Sequence, residues 1–209
     1  MFAVAFAVLG LAGDPTPGEE TLLAKGDGYY VHAVRSGPLS RGEFGERSYG
    51  RGVFERPGKY VLTHLSTATG KLTRLHAGGQ WGDPSVLGGV NRGFLYRQYI
   101  WGVAADEKHL YVLLGRTLEV TEDFGTQGRE RKTPSTVIQV FGLRGGDLVQ
   151  EVSLPKALHT GGEALTYDRL DRVPLTVTKT ELVVGDERNP HARFRFTGQR
   201  RLEPTADKQ

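Results

Sequence analysis

The chain of 209 residues contains no cysteine. Disulfide bonds, thiol nucleophiles and thiolate metal sites are therefore excluded. The sequence also lacks a Gly-x-Ser-x-Gly elbow, a phosphate-binding loop and a His-Glu-x-x-His motif. Its six histidines are scattered without the spacing of a metal-ligand set, so we expect no metal site and no cofactor.

Long apolar runs are missing as well, and no transmembrane span is expected. Residues 1–12 form an uncharged apolar run that is too short to cross a bilayer. Small residues and a proline-rich stretch follow this run, which is typical of a secretory leader. We expect residues 1–18 to be a signal peptide and linker of an exported protein, periplasmic or extracellular. The alternative is a buried first strand in a cytoplasmic protein.

The composition favours many short strands. Hydrophobic residues make up 38% of the chain, and 29 glycines and 10 prolines suit tight turns between strands. Little of the sequence sustains the helical period of about 3.6 residues. We therefore expect an all-β protein that is large enough to bury a sizeable core.

An internal repeat organises the predicted strands. Residues 105–112 lead into residues 136–148, and a weaker copy of this pattern begins at residue 25. In each copy a polar or glycine-containing turn separates successive apolar stretches. Each copy thus predicts four strands, a to d, in an antiparallel meander whose apolar faces must be buried against a neighbour.

The spacing of the copies can be measured from aligned leucines. Leu72 aligns with Leu148 at an offset of 76 residues (148 − 72), and Leu182 aligns with Leu110 at an offset of 72 (182 − 110). The third copy is shorter and contains the alternation Arg-Phe-Arg-Phe at residues 193–196. This period of two predicts a strand with one apolar and one solvated face.

The repeat resembles a blade of a β-propeller of the NHL-like or quinoprotein-like bacterial kind. The matching motifs are Asp-x-x-x-Leu-Tyr-Val at 106–112, Val-Phe-x-Leu at 140–143 and Gly-Asp-Leu-x-x-x-Val at 146–152. The resemblance implies a partial propeller-like array of four-stranded antiparallel meanders. Propellers have about four to eight blades, and residues 20–202 supply about three imperfect ones. A β-sandwich or open stacked sheets are the alternatives.

The repeat divides the chain into segments with stated bounds. After the leader we expect two full units, a short third unit and a tail: residues 19–97 with an insertion at 36–58, residues 98–160 with an insertion at 117–135, residues 161–203, and residues 204–209. Both insertions separate strands b and c. Because they are long and rich in glycine and charge, we expect mobile excursions at residues 37–58 and 121–134.

Further expectations concern the turns and the strands of the second unit. Asp27, Asp106 and Asp147 are predicted to fold turns through hydrogen bonds from backbone amides to their side chains. We expect residues 98–155 to form one complete meander. Six of its apolar side chains are predicted to point towards packed neighbours, namely Leu110, Val112, Ile138, Val140, Leu148 and Val152.

The candidate ligand-binding residues lie between the first two units. Residues 76–84 and 91–97 combine aromatic and polar side chains in what we expect to be irregular backbone, where binding residues concentrate. An aromatic face with polar groups around it suits a carbohydrate or a peptide. The candidates are Trp81, Asp83, Asn91, Arg92 and Tyr96. The alternative is that Trp81 and Phe94 fill the gap between adjacent units.

Three function classes follow from this sequence. We favour a binding or protein-interaction module of unknown ligand. We expect it either to associate with itself through an open blade edge of the first unit, or to be a piece of a longer propeller that is poorly soluble alone. A propeller-type hydrolase or lyase is the alternative, and it would bring together two or more residues from the set Asp83, His109, Asp106, His76 and His159. A nucleic-acid binder is disfavoured, because glutamates cancel the arginines of the first insertion and the net charge is only +3.

Overall fold

The computed structural model describes residues 20–35, 54–87, 90–124, 127–158, 169–198 and 201–205. The expected leader and most of the first insertion lie outside these ranges. The fold is nearly all β, as predicted. Its strands are β1 (Glu20–Gly26), β2 (Tyr29–Arg35), β3 (Phe54–Ser66), β4 (Leu72–Leu87), β5 (Val90–Ala105), β6 (His109–Phe124), β7 (Gln127–Gly142), β8 (Leu148–Ser153), β9 (Leu175–Val177), β10 (Glu181–Asp186), β11 (Asn189–Thr197) and β12 (Arg201–Pro204).

These strands form three four-stranded antiparallel meanders that are not closed into a ring. The first unit is β1–β4, the second is β5–β8 and the third is β9–β12. The outer half of β4 also pairs with β5, from Gly79 opposite Gln98 to Leu87 opposite Val90. The first two units therefore share one continuous eight-stranded sheet, whereas the third is a separate sheet.

Long central strands account for the wide spacing of the repeat. β6 and β7 pair without interruption from His109 opposite Gly142 to Phe124 opposite Gln127. The expectation that this segment leaves the paired strands is therefore wrong for residues 121–124 and 127–134, because they continue strands b and c as a regular hairpin. Its backbone groups are hydrogen-bonded to the neighbouring strand instead of to solvent.

The alternation of side chains along β6 builds two cores. Leu110, Val112 and Leu114 are fully buried against the first unit, whereas Tyr111 and Leu113 are fully buried against the third. The second unit is thus covered on both faces. Burial of each of these side chains stabilises the fold by about 1.5–3 kcal/mol. The order of packing is first unit, second unit, third unit.

The predicted core of the second unit is correct with one exception. Ile138 and Val140 are buried, and Val152 is partly buried in the same cluster. Leu148 is 52% exposed, so the expectation for this residue is wrong. Leu148 is the first residue of the edge strand β8 and stands opposite the buried Phe141, next to a register shift between Val140 and Phe141.

The a–b turns of the second and third units have the same construction. The Oδ1 atom of Asp106 accepts hydrogen bonds from the amides of Lys108 and His109 at 2.7 and 2.8 Å. In the third unit the Oγ1 atom of Thr178 accepts them from Thr180 and Glu181 at 3.3 and 3.0 Å. The predicted role of Asp106 is confirmed.

Candidate functional site

The candidate ligand residues lie on two paired strands. Trp81 and Asp83 belong to β4 and stand opposite Tyr96 and Phe94 of β5. The expectation of irregular backbone is wrong here, because residues 79–87 of β4 and 90–98 of β5 are extended and paired in register. This segment is a hairpin that joins the first unit to the second.

The remaining candidates occupy the far end of this hairpin. Asn91 stands opposite Val86, and Arg92 stands opposite Ser85. The side chains of Trp81, Asp83, Asn91 and Arg92 lie outside the described part of the structure, and their contact with a ligand stays a prediction. Tyr96 is the candidate whose side chain can be followed.

Tyr96 belongs to a polar network at the junction of the first two units. Its hydroxyl donates to Oε1 of Gln98 at 3.4 Å, and the same oxygen accepts a bond from Nε of Arg116 at 2.6 Å. Arg116 also donates both terminal nitrogens to the carboxylate of Glu151 at 2.6 and 2.7 Å. Gln139 donates to Glu151 at 2.9 Å. We call these five residues the junction network.

The charged groups of the junction network stabilise one another. The hydrogen bond from Arg116 is the main reason that the pKa of Glu151 is lowered. Burial is the largest single influence on Arg116 and disfavours its charge, but the hydrogen bond to Glu151 and the charges of Tyr96 and Glu151 together outweigh burial and raise the pKa of Arg116. Burial raises the pKa of Tyr96. Both terminal nitrogens of Arg116 are bonded to Glu151. The network is therefore better suited to holding β5, β6 and β8 together than to binding an anion.

His76 lies buried beside this network. It is 5% exposed on β4, and burial is the main cause that lowers its pKa from 6.5 to about 4. The side chain of Gln139 opposes this shift, yet Nε2 of His76 and Oε1 of Gln139 both lack a hydrogen bond of acceptable geometry among the described residues. We therefore treat His76 as a neutral, incompletely satisfied group.

The residues considered for catalysis are only partly brought together. Asp106 and His109 approach to 3.8 Å at the a–b turn, but both carboxylate oxygens of Asp106 are already engaged, Oδ1 by the turn and Oδ2 by the Tyr111 hydroxyl at 2.8 Å. His76 lies elsewhere, beside the junction network. His159 and the side chain of Asp83 are outside the described residues. The Asp106 arrangement is accounted for as a turn.

The outward face of the first unit carries exposed apolar side chains. We call this surface the open face. Leu22, Tyr30 and Leu72 are 49%, 40% and 64% exposed. Leu22 pairs with His32 and Leu72 pairs with Leu65 across the strands. Tyr30 stacks on His32 with ring centroids 6.1 Å apart.

Charged groups surround the apolar centre of the open face. Glu20 on β1 lies 3.6 Å from Nδ1 of His32, and exposed Arg74 on β4 stands opposite Thr63. Both signs of charge therefore occur on one surface. Sequence reasoning missed this face, although the apolar residues that alternate along β2 with those of the core were the available signal.

The outward face of the third unit is different, and we call it the closed face. Arg193 and Arg195 alternate with the core residue Phe194, as the Arg-Phe pattern predicts. Arg193 donates to Glu181 at 2.7 Å and to the Glu187 carbonyl at 2.8 Å. The central aliphatic residue of the closed face, Val183, is only 2% exposed. Such a polar outer face is what a terminal repeat needs for solubility.

Comparisons with other proteins add no relative: no family model, curated protein or solved structure matches the chain. No helix within the described ranges has the length and apolar character needed to cross a membrane. In the same ranges, no three side chains of His, Asp or Glu converge as a metal site would require.

Proposed function

We propose that the chain is a binding and interaction module of propeller-like blades, and that the open face is the surface through which it acts. The observation that carries this proposal is the contrast between the two ends of the stack. Leu72 and Tyr30 are exposed at one end, whereas Arg193 and Glu181 cover the other end with an ion pair.

Exposed apolar side chains indicate a binding surface only when they form a contiguous patch. Single exposed leucines are common on soluble proteins, but contiguous apolar patches mark interaction surfaces. Leu72, Leu65 and Tyr30 occupy neighbouring register positions of β4, β3 and β2. They form one cross-strand row, which supports a binding role for the face as a whole.

The stack itself indicates the kind of partner. Within the chain, each buried apolar face is covered by the apolar face of an adjacent four-stranded sheet. The open face has the same aromatic and aliphatic character as those faces. Its partner is therefore a protein that presents an apolar sheet surface, rather than a polymer of charged units.

A thiol introduced at one position tests this function, since the chain has no cysteine of its own. Leu72→Cys places the thiol on the open face. Leu148→Cys places it at the equivalent exposed position of the second unit and is the matched control. The rate of maleimide labelling is measured for the dilute purified protein and for an extract of the cells that produce it.

We expect the extract to slow labelling at position 72 and to leave labelling at position 148 unchanged. Such protection shows that the open face is covered in its natural setting, whatever covers it. Equal labelling rates at both positions in both preparations would show that the face has no partner, and the proposed function would then be wrong.

A further inference from the structure

We propose that the partner of the open face is the open face of a second copy of this chain, so that two copies form a two-fold symmetric dimer. This inference rests on the proposed function and names its partner. It predicts a contact between faces. Pairing between the edges of two sheets, which the sequence suggested, is not required.

The closed face excludes the other way in which two copies could stack. Units within one copy are packed in a single direction, so a head-to-tail contact would bring the closed face of one copy onto the open face of the next. Arg193 and Glu181 would then be buried against Leu72 and its neighbours. Removing such charges from water without new partners is strongly unfavourable.

Only one arrangement is left that covers the apolar patch of both copies. In an isologous contact the same surface is used twice, and the assembly stops at two copies. Tyr30 and Leu65 of each copy are buried by those of the other, and both closed faces stay in solvent. Lys25 continues the row on β1, opposite Tyr30. Its aliphatic stem covers Leu72 of the second copy, while its ammonium group reaches solvent at the edge of the sheet. The internal packing of sheet on sheet is thereby continued across the interface.

The charges of the open face are compatible with self-pairing. Glu20 lies on β1 and Arg74 on β4, which are the opposite edges of the first unit. A two-fold axis parallel to the strands carries the β1 edge of one copy over the β4 edge of the other. The register sets Glu20 over Ala77 and Arg74 over Leu22 of the second copy. The long side chains of Glu20 and Arg74 must therefore extend along the strands to meet, and a face with one sign of charge could not pair in this way.

Sedimentation velocity and light scattering of the full chain over a range of concentrations test the dimer. We expect a monomer–dimer equilibrium that saturates at two copies. Leu72→Asp should raise the dissociation constant by about tenfold or more. Leu148→Asp, at the repeat-equivalent position, should leave it unchanged. Because Leu72 is 64% exposed, the fold should survive, which circular dichroism verifies.

Charge exchange provides a second, independent readout. Glu20→Arg and Arg74→Glu should each weaken the dimer, and the double variant should recover most of the loss because opposite charges again meet across the interface. The single variants keep the apolar row intact, so a failure to fold cannot imitate this pattern. Recovery in the double variant is the result expected only of a self-paired open face.

The two proposals fail in different ways. A chain that stays monomeric, or that grows beyond two copies, overturns the dimer. If the thiol at position 72 is nevertheless protected in the extract, the open face binds another protein and the interaction function stands. A monomer without protection at position 72 overturns both.

Discussion

Arg116 and Glu151 lie on β6 and β8, with β7 between them, and join as a two-pronged ion pair at 2.6 and 2.7 Å. Their side chains are 16% and 38% exposed, so the pair is partly shielded from solvent. Gln139, on the intervening strand, donates to the same carboxylate. The pair therefore fastens the edge strand of the second unit to its centre.

Replacing the carboxylate should destabilise the fold. In Glu151→Ala the guanidinium of Arg116 and the amide of Gln139 both lose an acceptor in a shielded place, and we expect a loss of about 1–2 kcal/mol in the free energy of unfolding. Urea denaturation at pH 7 measures it. Glu107→Gln, in an exposed turn, is the control and should change stability little. Equal stability of both variants would show that the pair contributes nothing.

The buried His76 predicts a dependence of stability on pH. Its pKa is about 4 in the folded chain against 6.5 as the reference for an exposed ring, so the unfolded chain takes up the proton first as the pH falls. The stability that the neutral His76 contributes to the folded chain is complete above pH 6.5. It is lost progressively between pH 6.5 and pH 4, by about 3 kcal/mol in total.

Urea titrations between pH 7 and pH 4.5 measure this loss. His76→Leu should flatten the dependence, whereas His191→Gln, at an exposed position, should retain it. The lowered pKa of Glu151 affects stability only at more acidic pH. The loss measured between pH 7 and pH 4.5 is therefore assigned to His76. A dependence of equal slope in His76→Leu and in the parent chain would contradict the assignment.

Local patterns predicted the parts of the fold that depend on neighbouring residues. The turn at Asp106 followed from the preference of aspartate for bonds to nearby amides. The alternation at residues 193–196 correctly predicted that Phe194 is buried and that Arg195 is exposed. In both cases the forces act within a few residues, so the sequence contains the full signal.

The long hairpins could not be predicted in this way. Residues 76–87, 90–97, 121–124 and 127–134 are rich in glycine or charge, which disfavours strands locally, but pairing with the adjacent strand determines their conformation. The junction network is equally invisible, because Arg116 and Glu151 are 35 residues apart and meet only through the register of β6, β7 and β8. The same holds for the open face.

The bond between Asp106 and the Tyr111 hydroxyl should be measurable by a double-mutant cycle. Asp106→Ala removes the acceptor for two turn amides and for this hydroxyl, and we expect a loss of about 2 kcal/mol. Tyr111→Phe should cost about 1 kcal/mol, because Tyr111 is fully buried. Because the two side chains are bonded to each other, the double variant should lose less stability than the sum of the two single losses. Additive losses would place the two residues out of contact.

Trypsin should spare the hairpin of β6 and β7. Arg129 and Arg131 stand opposite Glu122 and Val120 in a continuous ladder, and a paired strand must detach before a protease can bind it. Arg144 is exposed in the c–d turn of the second unit and serves as the reference site. Peptide mapping of a native digest should show cleavage after Arg144 first. Faster cleavage after Arg129 or Arg131 would mean that this hairpin frays.

Gly115 should tolerate no side chain. A Cβ atom at this position would overlap the ring of Trp101, which lies directly against it. Trp101 is 5% exposed within the second core, and Arg172 lies 5.9 Å over its ring, so the indole has little room to move. We expect Gly115→Ala to lower the free energy of unfolding by about 2–3 kcal/mol through overpacking.

Gly198→Ala is the matched control for this substitution, since a Cβ atom there meets nothing within 4 Å. Thermal melts should show a large shift for the first variant and almost none for the second. The near-ultraviolet circular dichroism of the two tryptophans reports whether the Trp101 ring is displaced. An unchanged melting temperature for Gly115→Ala would mean that the Trp101 ring can move aside. It would contradict the tight packing of the second unit on the third around this ring.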